Sequence, residues 1–521
     1  MESGHSLTDF AMPQPQHNWD IEQGNHYIAK ELSYNRDDEQ AAALANIPLL
    51  NLEQADAFNR IFDSVTHNKQ KFFFLSGPGG TGKTFVYKTV CHRIRAEGWI
   101  VLCVASSGIA ALLMHGGRTA HSMFKIPIDD LSEDSFCHIP KEGLLAGLLR
   151  STILIIWDEI TMQHRHALEA VDKTCRDIRD SGAPFGGITV VIGGDFQQIL
   201  PVIRRGSRES TVDATVQHSH LWNHVEILRL KQNMRLDKAS HSFAEWLLDI
   251  GHGRNSDALD GHVVLPEDML TTDIDTLIAK IYGSIEHEQH IPPPQYFSDR
   301  MILAARNGDV DEINKTVLHK MIGDEISFFS ADEVIHEQGV DGQQPDQIGY
   351  PVEFLRSLSA SGLPPGELTL KVGCPLILLR NLAPQQGLCN GTRMVVLRMS
   401  NRILEVRILG GDHDGKIAFI PRISLIPSTM NSDFTFQFKR RQFPVHLAFA
   451  MTINKAQGQS VKYVGLDLRV PVFSHGQLYV ALSRATSHHR ISVLLPAGES
   501  KTLNVVYPEV LTVWWVVYLS F

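Results

Sequence analysis

Helical spacing is clear over 51–66, where Leu52, Ala55, Phe58, Ile61, Phe62 and Val65 recur at three- and four-residue intervals. The texture then changes. KFFFLSG (71–77) is a short apolar run ending in glycine and predicts a buried strand. TGKTFVYKTVCHRIRAEG (81–98) predicts a helix with a basic end and Gly98 as its stop. WIVLCVAS (99–106) predicts a second buried strand and GIAALLMHGG (108–117) a helix after it. STILIIWDE, ITVVIGGDF and VEILRL predict a third, fourth and fifth strand. Apolar strands alternating with helices imply an α/β fold, a parallel sheet covered on both faces.

The pattern divides the rest of the chain. Residues 1–50 are polar and weakly patterned and predict a loosely attached lead-in; 51–236 form the first α/β domain. A second begins at 237 with an amphipathic helix (Phe243, Trp246, Leu247, Ile250), turns acidic and loop-rich up to 366, and includes a strand, turn and helix over 300–321. From 367 to 440 short strands separated by Gly/Asn turns predict a small barrel. Residues 441–500 return to α/β texture, so the barrel reads as an insertion in the second domain. The tail, 501–521, ends in VLTVWWVVYLSF, apolar but too short to span a membrane.

A length of 521 residues fits two to four domains, and 43% hydrophobic with 20% charged residues argues against a mainly disordered chain. The net charge of −10 excludes a histone-like polycation but hides a split. Residues 241–360 carry 22 acids and 7 bases, whereas 371–441 carry 11 bases and 4 acids, so a local patch for a polyanion is available. Six scattered cysteines without a C-x-x-C pair fit a reducing compartment. The 25 histidines show no metal-ligand spacing.

The chemistry concentrates in a few segments. Gly77-Pro78-Gly79-Gly80-Thr81-Gly82-Lys83-Thr84 matches G-x-x-x-x-G-K-[ST] between a strand and a helix, the context of a phosphate-binding loop. Its glycines let backbone N–H groups turn inward around phosphate oxygens. Lys83 can reach the β- and γ-phosphates of ATP, and Thr84 can ligate Mg²⁺. ILIIWDEI ends a buried strand in two acids, which face the ligand crevice of an open sheet. Asp158 would hold Mg²⁺ and Glu159 would activate the attacking water; a helix-capping acid pair is the bland alternative. In VVIGGDFQQILPV, Gln198 is placed to sense the γ-phosphate or orient water, unless the segment is an ordinary polar loop. Arg235 and Arg484 each follow an apolar segment, where an arginine is either a phosphate ligand or a solvated charge.

Together these segments resemble the Pif (petite integration frequency) family of superfamily 1B DNA helicases, related to RecD, and most of all the helicase part of Helitron rolling-circle transposon proteins. The resemblance spans roughly 50–495 and carries over motif by motif. LNLEQ places the adenine-contacting glutamine at Gln54. GPGGTGKT, with Gly77, Gly79, Gly80, Thr81 and Gly82, is the nucleotide loop. ASSGIAALLMHGGRTAHSMFKIPI is a DNA-contacting region that includes Ser106, His121 and Ser122. IIWDE and GGDFQQ supply Asp158, Glu159 and Gln198, and LKQNMRL supplies Arg235. AMTINKAQGQSV contributes Thr452 and Lys455 toward DNA and Gly458 toward nucleotide; LYVALSRAT supplies Arg484 as the arginine finger. Two departures stand out. Gln197 stands where arginine or another residue is expected from the Helitron relatives, a change that would weaken one contact. No HUH endonuclease motif appears, so strand nicking would come from a separate rolling-circle endonuclease or a missing N-terminus.

The resemblance implies two RecA-like P-loop NTPase domains with ATP between them, an SH3-like barrel inserted in the second, and a small wedge insertion over 125–150 of the first. It implies an ATP- and Mg²⁺-dependent helicase, mainly monomeric, moving 5′→3′ on single-stranded DNA and unwinding forked or tailed duplexes. The setting would be repair, recombination, telomere or genome maintenance, or transposition. A nuclear location is expected, with the mitochondrion open and no targeting signal or membrane partner evident. Phe124, Asn381, Lys439, Arg440 and Arg441 are further DNA-contact candidates, with core packing or a solvated turn as the alternatives. A translocase that does not unwind and an inactive transposon remnant are the rival functions.

Overall fold

The structure is a computed structural model and describes residues 24–128, 131–234, 241–255, 260–283, 285, 291–335, 350–360, 362–427 and 436–512. The chain enters through two helices, α1 (His26–Glu31) and α2 (Arg36–Asn46), started by Asn25 and Asn35, whose side chains accept backbone N–H bonds. Both pack on the first domain, with Glu31, Glu39 and Ala43 buried. The second half of the expected loose lead-in is therefore part of the domain; its buried face carries two acids, which hid it from a hydrophobicity reading. Residues 1–23 lie outside the described residues.

Next, α3 (Leu52–Thr66) opens on a capping box in which Asn51 and Gln54 each bond the other's backbone N–H. Then follow β1 (Phe72–Ser76), α4 (Lys83–Ala96), β2 (Ile100–Ala105), α5 (Gly108–Leu112), β3 (Arg118–Thr119), α6 (Ala120–Phe124), β4 (Thr152–Asp158), β5 (Thr189–Gly194) and β6 (Val225–Arg229). All six strands are parallel, in the order β3-β2-β4-β5-β1-β6. β1, β2 and β5 are buried along nearly their whole length, which explains their unbroken apolar runs. The stretch expected as a wedge ends in a helix, Leu144–Ser151, whose Ala146, Leu148 and Leu149 belong to the first-domain core.

The second domain holds a parallel five-stranded sheet, ordered Ala450–Thr452, Arg300–Ala304, Tyr463–Asp467, Ile491–Leu494, Leu270–Thr271. The architecture is α/β with two RecA-like domains and a small β-barrel insertion. The insertion carries an antiparallel five-stranded sheet in the order 417–421, 403–409, 393–399, 375–378, 445–447. Two smaller ribbons join it: 326–329 with 367–370, and 331–335 with 437–442 and 423–425. The barrel thus reaches beyond the expected 367–440 at both ends. Strands 326–329 and 331–335 were missed because Phe328 and Val334 are flanked by exposed and half-exposed positions, so little alternation marks them.

The expected tail also differs. Lys501–Leu503 pairs with His262–Val264, and helix Pro508–Thr512 places Val510, fully buried, in the first-domain core. Residues 513–521 lie outside the described residues. Among the described residues no helix is long and apolar enough to cross a membrane.

One DNA-contact candidate is structural. The Arg440 and Asp332 side chains are both fully buried, with Arg440 Nε and Nη2 on the carboxylate at 2.9–3.2 Å. Arg440 Nη1 also donates to the carbonyls of Leu358 and Pro364. Lys439 pairs with Glu333, leaving Arg441 as the exposed member of the triplet. Asp332→Ala would strand a buried guanidinium charge. It is expected to cost about 3–5 kcal/mol, read by chemical denaturation, with faster hydrogen exchange over 331–335 and 437–442 localising the loss.

Candidate active site

The loop after β1 turns through two left-handed glycines, Gly80 (φ +91°) and Gly82 (φ +82°), before α4 begins. A Cβ at Gly82 would also lie 2.4 Å from Gln54 Nε2, so that side chain would have to shift. α4 starts with no side-chain cap, leaving its N-terminal dipole facing the loop. Lys83 Nζ donates to the Gly77 and Pro78 carbonyls. Gln54 is buried, its Nε2 donating to the Thr81 carbonyl at 3.0 Å and its Oε1 accepting from Asn51 N–H. It braces the loop from the α3 side.

Asp158 and Glu159 stand at the carboxyl end of β4, both buried. Glu159 adopts a left-handed backbone (φ +54°), a strain of order 1–3 kcal/mol for a non-glycine residue. Its N–H donates to Asp158 Oδ1 at 2.9 Å. Burial, then the Glu159 charge, pushes the Asp158 carboxyl up to about 7, with Lys83 opposing the shift. After β5, Asp195 accepts from Gln197 N–H and from Gln198 Nε2 at 3.2 Å.

The second domain closes the site. Gln457 Nε2 donates to Glu159 Oε2 at 2.7 Å, Tyr479 Oη to Asp195 Oδ2 at 3.1 Å, and the His475 ring to the Phe196 carbonyl at 2.8 Å. Burial and the Asp195 charge raise the Tyr479 phenol, so it stays a donor. Arg484 is 3% exposed, its guanidinium bonding the Val480 and Gln459 carbonyls and Ser483 Oγ. A cavity of about 330 Å³ is lined by Gly79, Gly80, Gly82, Lys83, Thr84, Asp158, Glu159 and Gln198 from the first domain and by Gly458 and Arg484 from the second.

Nine of the expected nucleotide and metal residues thus meet in one cavity, together with Arg484. Gln54 braces the loop through the Thr81 carbonyl, and Gly77 and Thr81 belong to the loop without lining the cavity. Arg235 lies outside the described residues, although Met234 N–H bonds the Gly80 carbonyl and brings that segment to the loop. Gln197 bonds His252 instead of facing the cavity. Asp195, Gln457, His475 and Tyr479 were not singled out from the sequence. Gln457 sits in a quoted motif, but its partner is 298 positions away.

The DNA candidates follow carboxyl ends of strands. Ser106 comes after β2, with its Oγ accepting from Trp157 Nε1. His121, half-buried and lowered in pKa by that burial, and exposed Ser122 come after β3. Thr452 ends its strand and Lys455 follows, exposed. Phe124 is no base platform; it is 1% exposed and packs on Trp157. Asn381 accepts from Asn390 N–H and helps shape a barrel loop whose Asn390 carbonyl closely approaches Gly108.

Comparison with known proteins adds to this geometry. Residues 49–261 match the family model of the PIF1-like helicases, and 353–399 match that of the 2B domain of DNA helicase Pif1. The chain is 27% identical over 443 residues to the ATP-dependent DNA helicase Pif1 of Psychrobacter sp., covering 81% of this chain and 66% of that protein. It is 27% identical over 441 residues to its Bdellovibrio bacteriovorus counterpart, covering 84% and 87%. The chain therefore spans just under two thirds of the Psychrobacter protein. A solved Pif1 helicase from Bacteroides, in complex with ADP-AlF3 and ssDNA, has the same fold: TM-score 0.62, 22% identity, 88% of this chain and 95% of that one.

Proposed function

We propose that the chain, whose residues 49–261 match the PIF1-like helicase model and 353–399 that of the Pif1 2B domain, is a PIF1-like ATP-dependent DNA helicase that moves 5′→3′ on single-stranded DNA and unwinds tailed or forked duplexes. The observation that carries this reading is the shared cavity, where Lys83, Thr84, Asp158 and Glu159 of one domain meet Gly458 and Arg484 of the other. A nucleotide bound there touches both domains, so its γ-phosphate can set how they sit together.

The roles follow from position. The loop backbone and Lys83 hold the phosphates, and Arg484 lies where it can meet charge on the transferring phosphoryl group. Its anchored fork needs little further ordering. Glu159 takes the proton of the attacking water; the Gln457 bond fixes that carboxylate from the opposite domain. Gln198, tied to Asp195, senses the γ-phosphate. Mg²⁺ fits the donor set of one carboxylate and one hydroxyl, Asp158 and Thr84, since a divalent ion relieves the crowded buried charge that raises Asp158. When bound, it would neutralise phosphate charge. Hydrolysis removes the γ-phosphate link between domains. Alternating grip on DNA at Ser106, His121 and Ser122 in one domain and Thr452 and Lys455 in the other turns that cycle into stepping.

Polarity rests on the family resemblance and is tested with 5′-tailed, 3′-tailed and blunt duplexes plus ATP. Strand separation is expected from the 5′ tail. Preference for a 3′ tail would overturn the polarity. DNA-stimulated ATPase without separation would leave a translocase, and no turnover would leave a remnant.

A further inference from the structure

Outside the ATP cavity, one carboxylate lies between two imidazoles. Glu39 on α2 is buried; its Oε2 is 2.7 Å from Nδ1 of His92 on α4, and its Oε1 is 3.0 Å from Nε2 of His115, in the loop after α5. One ligand atom from each residue lies within 4.8 Å of the other two. The rings are 5.2 Å apart and tilted by 35°, so their nitrogens converge on the carboxylate rather than stacking face to face. These donors are 53 and 76 positions from Glu39, which is why no ligand spacing shows in the sequence.

The chemistry of the set selects the ligand. Two imidazole nitrogens and one carboxylate oxygen suit a borderline ion of the zinc type, whereas Mg²⁺ and Ca²⁺ prefer all-oxygen shells. Ligand atoms around a tetrahedral ion with bonds of about 2.0–2.1 Å are roughly 3.3 Å apart. His92 Nδ1 lies 2.7 Å from one carboxylate oxygen and His115 Nε2 3.0 Å from the other, and with one ligand atom from each residue all three lie within 4.8 Å of one another, so side-chain rotation alone can bring them to that spacing. His92 and His115 keep 17% and 35% of their side-chain surface exposed, which provides an entry path and room for water as a fourth ligand. The neighbouring cation, Arg95, lies over the Tyr34 ring, with Glu31 at 4.0 Å, and donates to the His115 carbonyl, which holds that loop in place.

We propose that Glu39, His92 and His115 bind one zinc-type divalent transition-metal ion that clips helix α2 to the nucleotide-loop helix α4. The ion joins an entering segment to the element that begins at Lys83. It takes no part in phosphate chemistry, which lies at the other end of α4.

The test uses the full chain, stripped of metal and free of nucleotide. Zn²⁺ titrated by calorimetry is expected to bind at one equivalent and to raise Tm in a concentration-dependent way. Co²⁺ is expected to give the intense visible bands of a tetrahedral site. Glu39→Gln, His92→Gln and His115→Gln should each weaken the binding at least tenfold. A second trio, Asp268, His488 and His489, is largely exposed and serves as control. Loss of binding in His488→Gln/His489→Gln, with retention in His92→Gln/His115→Gln, would overturn the proposal. So would a wild-type chain that gives no tetrahedral Co²⁺ spectrum, a result that needs no variant to fold. Those outcomes would leave Glu39 as a hydrogen-bonded latch between two imidazoles.

Discussion

Lys83→Ala is expected to bring ATP turnover to background while leaving the protein folded. The side chain is half-buried at the first position of α4, and its ammonium bonds the loop carbonyls of Gly77 and Pro78. Removing it forfeits hydrogen bonds worth about 1 kcal/mol, partly replaced by water. Alanine is also the best helix former, so α4 loses nothing in propensity. The effect on chemistry is far larger. A fixed positive charge aimed at the β- and γ-phosphates acts inside a cavity walled by both domains. Loss of one preorganised electrostatic group typically lowers turnover by about 10²–10³-fold, and here nucleotide affinity falls as well. The measurement is phosphate release with saturating single-stranded DNA, beside a thermal melt. Wild-type turnover in the mutant would remove the loop from the active site. An early melt with low turnover would mean that Lys83 serves the fold.

What the sequence disclosed depended on how locally each feature is encoded. The first-domain sheet was legible because both faces of its main strands are covered, so KFFFL, IVLCV and TVVIG read as unbroken apolar runs. The phosphate loop was legible because its function needs a fixed run of glycines. The entering helices were not, since α2 turns Glu39 inward toward partners that the fold alone assembles. Arg440 shows the same limit. In a basic triplet it looks like a polyanion contact, but its carboxylate partner, Asp332, lies 108 positions earlier on a strand with little alternation. Phe124 could be read from sequence either as a base platform or as core, and the turn at Lys125 (φ +55°) ends α6 with the ring packed on Trp157. The second-domain side of the site, Gln457 and Tyr479, depends on contacts across nearly 300 residues.

Glu159→Gln is expected to bind ATP and DNA but barely hydrolyse, whereas Asp158→Asn should lose Mg²⁺-dependent nucleotide binding. Neither change should unfold the chain. A glutamine at 159 can still accept the Gln457 hydrogen bond through its amide oxygen, and an asparagine at 158 can still accept from the Glu159 N–H. Each also removes one of two like charges whose crowding, with burial, raises Asp158 to about 7. Stability should therefore hold or rise slightly. The functional outcomes diverge because the two acids have different tasks. Asparagine is a poorer ligand for a hard cation than a carboxylate, so Asp158→Asn weakens binding before chemistry begins. Glutamine keeps the size of Glu159 and removes the base, a loss that typically lowers rate by roughly 10²–10⁴-fold. Nucleotide affinity and single-turnover hydrolysis, measured on both variants with and without Mg²⁺, separate the roles. If the two acids merely capped the following turn, both variants would hydrolyse ATP normally and melt about 1 kcal/mol less stable. Near-wild-type turnover in Glu159→Gln alone would move the catalytic base elsewhere, leaving the left-handed backbone at 159 as a device for presenting Asp158.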